Sequence, residues 1–283
     1  MDIARILSFP FEDAVQRYCA RDTMLYALGV GLGADPMDER ELRFVYEKSL
    51  IALPTMAAVL GSPGNWRADP ALGIVGPKVL HAAMEVELER PLPAEATVRA
   101  RERVIAIVDK GKERGTLMVV ERRIADHQNG VPLARLVSTI MLRGNGGIGR
   151  SVGEVPPSHR LPDRKPDRVV EIATLPRQAL IYRLSGDYNP LHAEAALARS
   201  VGFERPILHG LCSFGIAVSS LLRDWCDYDA SCVRRTGVRW TAPIFPGETL
   251  SVESWRDSKT LSFRVFVKER AIRALDHGVV ALF

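Results

Sequence analysis

The residues best suited to chemistry lie together in Tyr182-Arg183-Leu184-Ser185-Gly186-Asp187-Tyr188-Asn189-Pro190-Leu191-His192. A carboxylate, Asp187, and an imidazole, His192, stand five residues apart with the amide of Asn189 between them. A carboxylate and an imidazole sharing one water form an acid–base pair, because histidine titrates near neutral pH and ionised aspartate accepts a proton. Gly186-Asp187 and Asn189-Pro190 are turn signals. His192 to Ala198 reads as a short helix, with Pro190 near its first turn, where a missing N–H is harmless. A loop that doubles back in this way can bring Asp187 and His192 to one point. The same residues also have structural uses: Asp187 as an Asx-turn residue, His192 as a packed residue at a helix start. Asp and His are metal ligands too. An ion would need a third ligand, His209 is the only near candidate, and no metal is expected.

A second cluster follows in Arg205-Pro206-Ile207-Leu208-His209-Gly210-Leu211. Gly210 opens the longest helical pattern, Gly210 to Trp225, where Leu211, Phe214, Val218, Leu221, Leu222 and Trp225 recur mostly at three- and four-residue steps. The first N–H groups of a helix lack internal acceptors and sit at the positive end of its dipole. A glycine there lets an oxygen approach without obstruction, which suits an oxyanion, although close packing is an equally good use of the residue. His209 reads as a satisfied structural histidine.

These clusters need a scaffold. Met84, Val86 and Leu88 alternate with Glu85, Glu87 and Glu89, the period of a half-buried strand. Further strands are expected at Thr97–Val108, Thr116–Ile124, Leu133–Leu142, Val233–Trp240, Thr249–Arg256, Leu261–Lys268 and Gly278–Phe283. Shorter helical patterns fall at Met24–Val30 and Met56–Leu60. From Gly144 to Arg168 five Gly and four Pro interrupt any periodicity, which marks a linker. It divides the chain into halves, 1–145 and 169–283, joined by 146–168. Both halves open with short helices and close on long strands, and Pro91–Glu95 is echoed by Pro243–Glu248. A duplicated α+β unit is the expected fold, with the central helix of the first half shortened.

Composition excludes several classes. The chain has 283 residues, 47% hydrophobic and 25% charged, which fits a globular protein and rules out a disordered one. The net charge is +4, but the basic residues are scattered without interleaved aromatics, so no nucleic-acid partner is expected. The uncharged runs Ser49–Trp66 and Pro206–Leu222 are broken by Pro, Gly and Ser, so no membrane span is expected. Cys19, Cys212, Cys226 and Cys232 show no metal or C-x-x-C spacing and read as reduced thiols. Neither Met1–Arg5 nor Val280–Phe283 reads as a targeting signal, and a cytoplasmic location is expected.

Y-R-L-S-G-D-Y-N-P-L-H followed by G-F-E-R-P-I-L-H-G-L-C resembles the (R)-specific enoyl-CoA hydratases, the hydratase 2 or MaoC-like dehydratase family. Arg21–Gly31, Val79-Leu80-His81, Pro91-Leu92-Pro93, Asp109-Lys110-Gly111 and Gly144–Gly147 extend the resemblance to the two-domain form, so that it covers nearly the whole chain. It implies a double hot dog: two curved antiparallel sheets, each wrapped on a helix. It further implies addition of water to trans-2-enoyl-CoA, giving (R)-3-hydroxyacyl-CoA in fatty acid metabolism, by a homodimer with no cofactor. Asp187 and His192 then correspond to the catalytic pair, Asn189 to a residue supporting the same water, and Gly210 to the donor on the thioester oxygen. Trp240, His81, Ala82, Lys110, Tyr188, Pro190 and Leu191 correspond to substrate-contacting positions; Ala82 stands where relatives have glycine. A hot-dog thioesterase and a non-catalytic acyl-CoA binder are the alternatives.

Overall fold

A computed structural model describes residues 1–76 and 79–283. The first half runs α1 (Ile3–Leu7), β1 (Ala14–Tyr18), α2 (Ala20–Gly29), α3 (Glu39–Val45), β2 (Val79–Leu88), β3 (Ala96–Asp109), β4 (Thr116–Asp126) and β5 (Pro132–Leu142). The second runs β6 (Arg168–Ala173), α4 (Gln178–Tyr182), α5 (Ala195–Ser200), α6 (Gly210–Cys226), β7 (Val233–Trp240), β8 (Thr249–Asp257), β9 (Thr260–Val267) and β10 (Ile272–Leu282). The strands form one ten-stranded sheet in the order β1-β3-β4-β5-β2-β7-β10-β9-β8-β6. Each half has the same order from its edge inward, and antiparallel β2–β7 pairing, with Glu85 opposite Gly237, is the seam. The duplication inferred from short echoes is therefore visible in the topology, and the architecture is the double hot dog.

The concave face explains the strand periodicity. Met84, Val86 and Leu88 of β2 are buried while Glu85 and Glu87 point to the other side. In the second half α6 fills the concavity, and its residues from Cys212 to Leu222 are all buried. Burial of Phe214, Val218, Leu221 and Leu222 contributes about 1.5–3 kcal/mol each. Three buried serines cause no polar deficit, since Ser213, Ser219 and Ser220 donate to the carbonyls of Gly210, Ile216 and Ala217. Gly215 has a steric reason: a Cβ there would lie 2.5 Å from Val30 Cγ1, just beyond α2. In the first half the corresponding space holds only a short 3-10 segment, Pro54–Val59, with α2 beside it.

Several expectations need correction. His192 to Ala198 is not one helix but a 3-10 turn, Pro190–His192, followed by α5. Of Met56–Leu60, the residues up to Val59 belong to the 3-10 segment just described, and Leu60 caps it. The last strand begins at Ile272, because shifts of register around Asp276–Val279 and the left-handed His277 (φ 55°) break its period. Edge strands β1 and β6 gave too little one-sided burial to be read from sequence. The linker is also more than a tether: Ser158 and His159 hydrogen-bond Arg239 and Ser262, and His277 Nδ1 donates to the His159 carbonyl. No helix among the described residues is long and apolar enough to cross a membrane. The four cysteines are free.

Candidate active site

Turn chemistry places the two central side chains. The chain leaves α4 through a 3-10 turn, Arg183–Ser185, ended by left-handed Gly186 (φ 113°). Asp187 Oδ1 then accepts from Asn189 N at 3.3 Å, and Asn189 Oδ1 accepts from Leu191 N at 3.0 Å. Asn189 caps the Pro190–His192 turn, with Pro190 at its start. The structural uses of these residues are thus real, and they are the means by which Asp187 and His192 come to face each other.

His192 is 8% exposed, and its Nδ1 lies 2.8 Å from the Ile207 carbonyl. That contact requires the proton on Nδ1, so Nε2 keeps its lone pair. Burial holds the His192 pKa below the ordinary value, and the ring is neutral at pH 7. His209, just before α6, stacks on His192 with ring centroids 3.6 Å apart. Its Nε2 donates to the Asp187 carbonyl at 3.1 Å, while its buried Nδ1 has no partner among the described residues. His209 is therefore structural, as expected, but not fully satisfied. Burial and the neighbouring His192 lower its pKa to about 4.

Asp187, His192 and His209 each present one ligand-type atom, all within 4.8 Å of one another. The grouping fits a metal poorly. An imidazole binds an ion in its own plane at about 2.0–2.1 Å, and two rings face to face, inclined by only 27°, do not bring their planes together at that distance. A water held by the Asp187 carboxylate and His192 Nε2 suits the geometry better.

The N-terminus of α6 closes the other side. The Gly210 N–H meets no acceptor among the described residues, as befits the first residue of a helix. Gly210 also packs closely: a Cβ would lie 3.0 Å from Trp240 Nε1 and 3.1 Å from its Cε2. Trp240 Nε1 donates to the Gly210 carbonyl at 2.9 Å. Close packing of this glycine is thus observed, beside an N–H that is left free for an acceptor. His81 lies against Trp240, with ring centroids 4.6 Å apart. Burial, with Arg67 nearby, lowers its pKa to about 4. Ala82 is the extra residue of a β-bulge: His81 pairs with Ile140 and Ala83 with Thr139. The bulge interrupts the side-chain alternation of β2 between His81 and Ala83.

The remaining positions are dispersed. Tyr188 is 58% exposed on the rim, with Arg183 over its ring and donating to its carbonyl. Pro190 is exposed and Leu191 partly so. Lys110 is exposed in the β3–β4 turn, three strand steps along the sheet from β2, and is not brought to the Asp187–His192 cluster. The role of Ile207, the stacking by His209 and the approach of Arg183 and Arg67 were not anticipated. The Ile207 and His209 contacts join different chain segments, whereas Arg183 reaches Tyr188 only five residues on.

Comparison with known proteins agrees with this architecture. Residues 17–144 match the family described as MFE-2 hydratase 2 N-terminal domain, and residues 158–276 match the MaoC like domain family. The chain is 36% identical to "Enoyl-CoA hydratase 2, peroxisomal" of Arabidopsis thaliana over 288 residues, covering 94% of this chain and 90% of that protein. It is 40% identical to "3-hydroxyacyl-thioester dehydratase Y" of Mycobacterium tuberculosis over 251 residues, covering 87% and 84%. The crystal structure of a MaoC-like dehydratase from Phytophthora capsici superposes with a TM-score of 0.87 at 36% identity, covering 100% of this chain and 99% of that one. The chain belongs to the MaoC-like hydratase 2 family.

Proposed function

We infer that the protein is an (R)-specific enoyl-CoA hydratase, adding water reversibly to trans-2-enoyl-CoA. The carrying observation is that Asp187 and neutral His192 face one point beside the free N–H of Gly210. The two acceptors, a carboxylate oxygen and Nε2, can each take one hydrogen of a single water. The lone pair of the water oxygen then points at C3 of the enoyl group. As the C3–O bond forms, the C2=C3 pair moves towards the thioester, and its oxygen becomes an enolate. The Gly210 N–H at the start of α6 stabilises that charge; one such donor is worth about 2.7–4 kcal/mol in other enzymes. The proton taken from the water returns to C2. Asn189 has only its amide N–H left to hold the water, since Oδ1 is committed to the turn.

Names of relatives include enoyl-CoA hydratase 2 and 3-hydroxyacyl-thioester dehydratase, which supports this reading over a thioesterase or a non-catalytic binder. In the same proposal, residues 1–145 form the half that receives the acyl chain, 146–168 the linker and 169–283 the half bearing the acid–base pair. His81, Ala82, Trp240, Tyr188, Pro190 and Leu191 border the substrate. Lys110 meets the CoA phosphates farther along the sheet as a point charge. A homodimer and a cytoplasmic location complete it; several relatives carry peroxisomal names, so cell fractionation decides the second point. The test is incubation with crotonyl-CoA. Loss of the enoyl absorbance with (R)-3-hydroxybutyryl-CoA as product is expected. An unchanged absorbance, an (S) product or release of free CoA thiol contradicts it.

A further inference from the structure

The loop that carries the acid–base pair lies largely outside the core. Tyr188, Asn189 and Pro190 are exposed, and Asp187 and Leu191 are only partly covered. Most of its hydrogen bonds are local, between residues two to five apart. Among the described residues, two hydrogen bonds tie residues 186–192 to a distant part of the chain. The His192 ring donates to the Ile207 carbonyl at 2.8 Å, and the His209 ring donates to the Asp187 carbonyl at 3.1 Å. Both ties end on the same short segment, just before α6. That segment is well anchored. Leu208 and His209 are buried, Leu208 N donates to the Ile244 carbonyl at 2.7 Å, and the His209 carbonyl accepts from Ser213 N at 3.2 Å.

Within that segment His209 meets every part of the site. Its ring stacks on His192, with centroids 3.6 Å apart and planes inclined by 27°. Its Nε2 holds the main chain of Asp187, and its own main chain runs directly into Gly210. The Tyr182 ring packs against it, with centroids 5.0 Å apart. The bond to Asp187 fixes the tautomer: Nε2 carries the proton, and Nδ1 is left as a buried lone pair with no partner among the described residues. A residue present only to fill space would not bury an unpaired nitrogen, which costs stability. The ring must also be uncharged, since a cation stacked face to face would oppose uptake of a proton by His192. Burial and His192 itself keep it so at neutral pH.

We propose that His209 is a positioning residue: through its hydrogen bond to Asp187 and its stack on His192 it holds the acid–base pair at a fixed distance from the Gly210 N–H. The attacking water and the thioester oxygen are then met in one geometry. This inference rests on the hydratase reading, and the experiment separates the two. The parameters kcat and KM for crotonyl-CoA would be measured for wild type, His209→Ala, His209→Phe and His209→Gln. Phenylalanine keeps a flat ring without the donor, and glutamine keeps an N–H at the reach of Nε2 without the ring. Val218→Ala, buried two turns along α6, is the control for lost core packing. Circular dichroism and thermal unfolding would confirm that each variant is folded. His209→Ala is expected to lower kcat by about tenfold to a hundredfold, with KM changed by less than about threefold. His209→Phe and His209→Gln should each retain more kcat than His209→Ala, and Val218→Ala should keep the wild-type value. Added to Asp187→Asn, His209→Ala should cost less than about threefold more, because it acts through a pair already disabled. A wild-type kcat in His209→Ala, a loss confined to KM, or an equal loss in Val218→Ala overturns the proposal. So do losses that multiply in the Asp187→Asn background, or phenylalanine and glutamine variants no better than alanine. Failure of wild type to hydrate crotonyl-CoA would remove the hydratase reading itself.

Discussion

Replacing Gly210 by alanine probes the packing and the chemistry of the α6 N-terminus at once. The new Cβ would lie 3.0 Å from Trp240 Nε1 and 3.1 Å from Cε2, inside ordinary contact, so the indole must move by a few tenths of an ångström. Its way is restricted, because His81 packs against the ring and the Nε1 bond to the Gly210 carbonyl anchors it. Overpacking of this kind costs about 1–3 kcal/mol. Alanine in place of glycine in a helix offsets up to about 1 kcal/mol of that. A net loss of about 0–2 kcal/mol in urea unfolding is expected. Activity should suffer more, because the free N–H and the ring beside the thioester move together; a fall in kcat/KM of about tenfold to a hundredfold with crotonyl-CoA is expected. Trp240→Phe removes the atoms that clash. Gly210→Ala added to Trp240→Phe should therefore do less harm than in the wild-type background, with a coupling of about 1 kcal/mol or more. Additivity within about 0.5 kcal/mol would refute the steric reasoning.

Three further outcomes follow from the charges. His81 has a folded pKa of about 4 against an ordinary 6.5, so the unfolded chain binds more protons between those values. Stability should be level above pH 6.5 and fall as pH drops from 6.5 towards 4, by roughly 3 kcal/mol at most for this group; urea midpoints that stay constant across that range would contradict it. Glu102→Gln would leave the buried Arg122 without its partner, at a cost of about 3–5 kcal/mol in chemical denaturation; a change under about 1 kcal/mol would show the pair to be dispensable. Glu121 is buried among Arg103, Arg123 and Arg135, which hold its pKa at about 2 against an ordinary 4.5. Its stabilisation should be present above pH 4.5 and disappear as pH falls towards 2, and Glu121→Gln should remove that acid dependence from thermal melts.

What the sequence revealed follows from which contacts are local. Strand periodicity was readable where one face meets the concave core, as at Met84, Val86 and Leu88, and faded at the edge strands β1 and β6, whose burial is partial. The helix α6 was readable because large apolar residues recur at helical spacing along its buried length, with only small residues between them. The proximity of Asp187 and His192 was readable because the side-chain hydrogen bonds of Asp187 and Asn189 that bend the loop join residues two apart, Asp187 to Asn189 and Asn189 to Leu191. The orientation of His192 was not, since it depends on the Ile207 carbonyl and the His209 ring. Arg67 looked like any surface arginine, because its setting comes from the packing of Trp66 onto Glu102 of β3. The linker gave only its Gly and Pro content; its hydrogen bonds to Arg239, Ser262 and His277 are tertiary.

The central claim is that Asp187 and His192 act on one and the same water. The most direct measurement is the rate of crotonyl-CoA hydration by Asp187→Asn, His192→Gln and the double variant. Each single change should lower kcat by about a hundredfold or more, and the double variant should be little slower than the worse single one, because a unit already disabled has little left to lose. Losses that multiply in the double variant, or a single variant at full rate, would contradict the shared water.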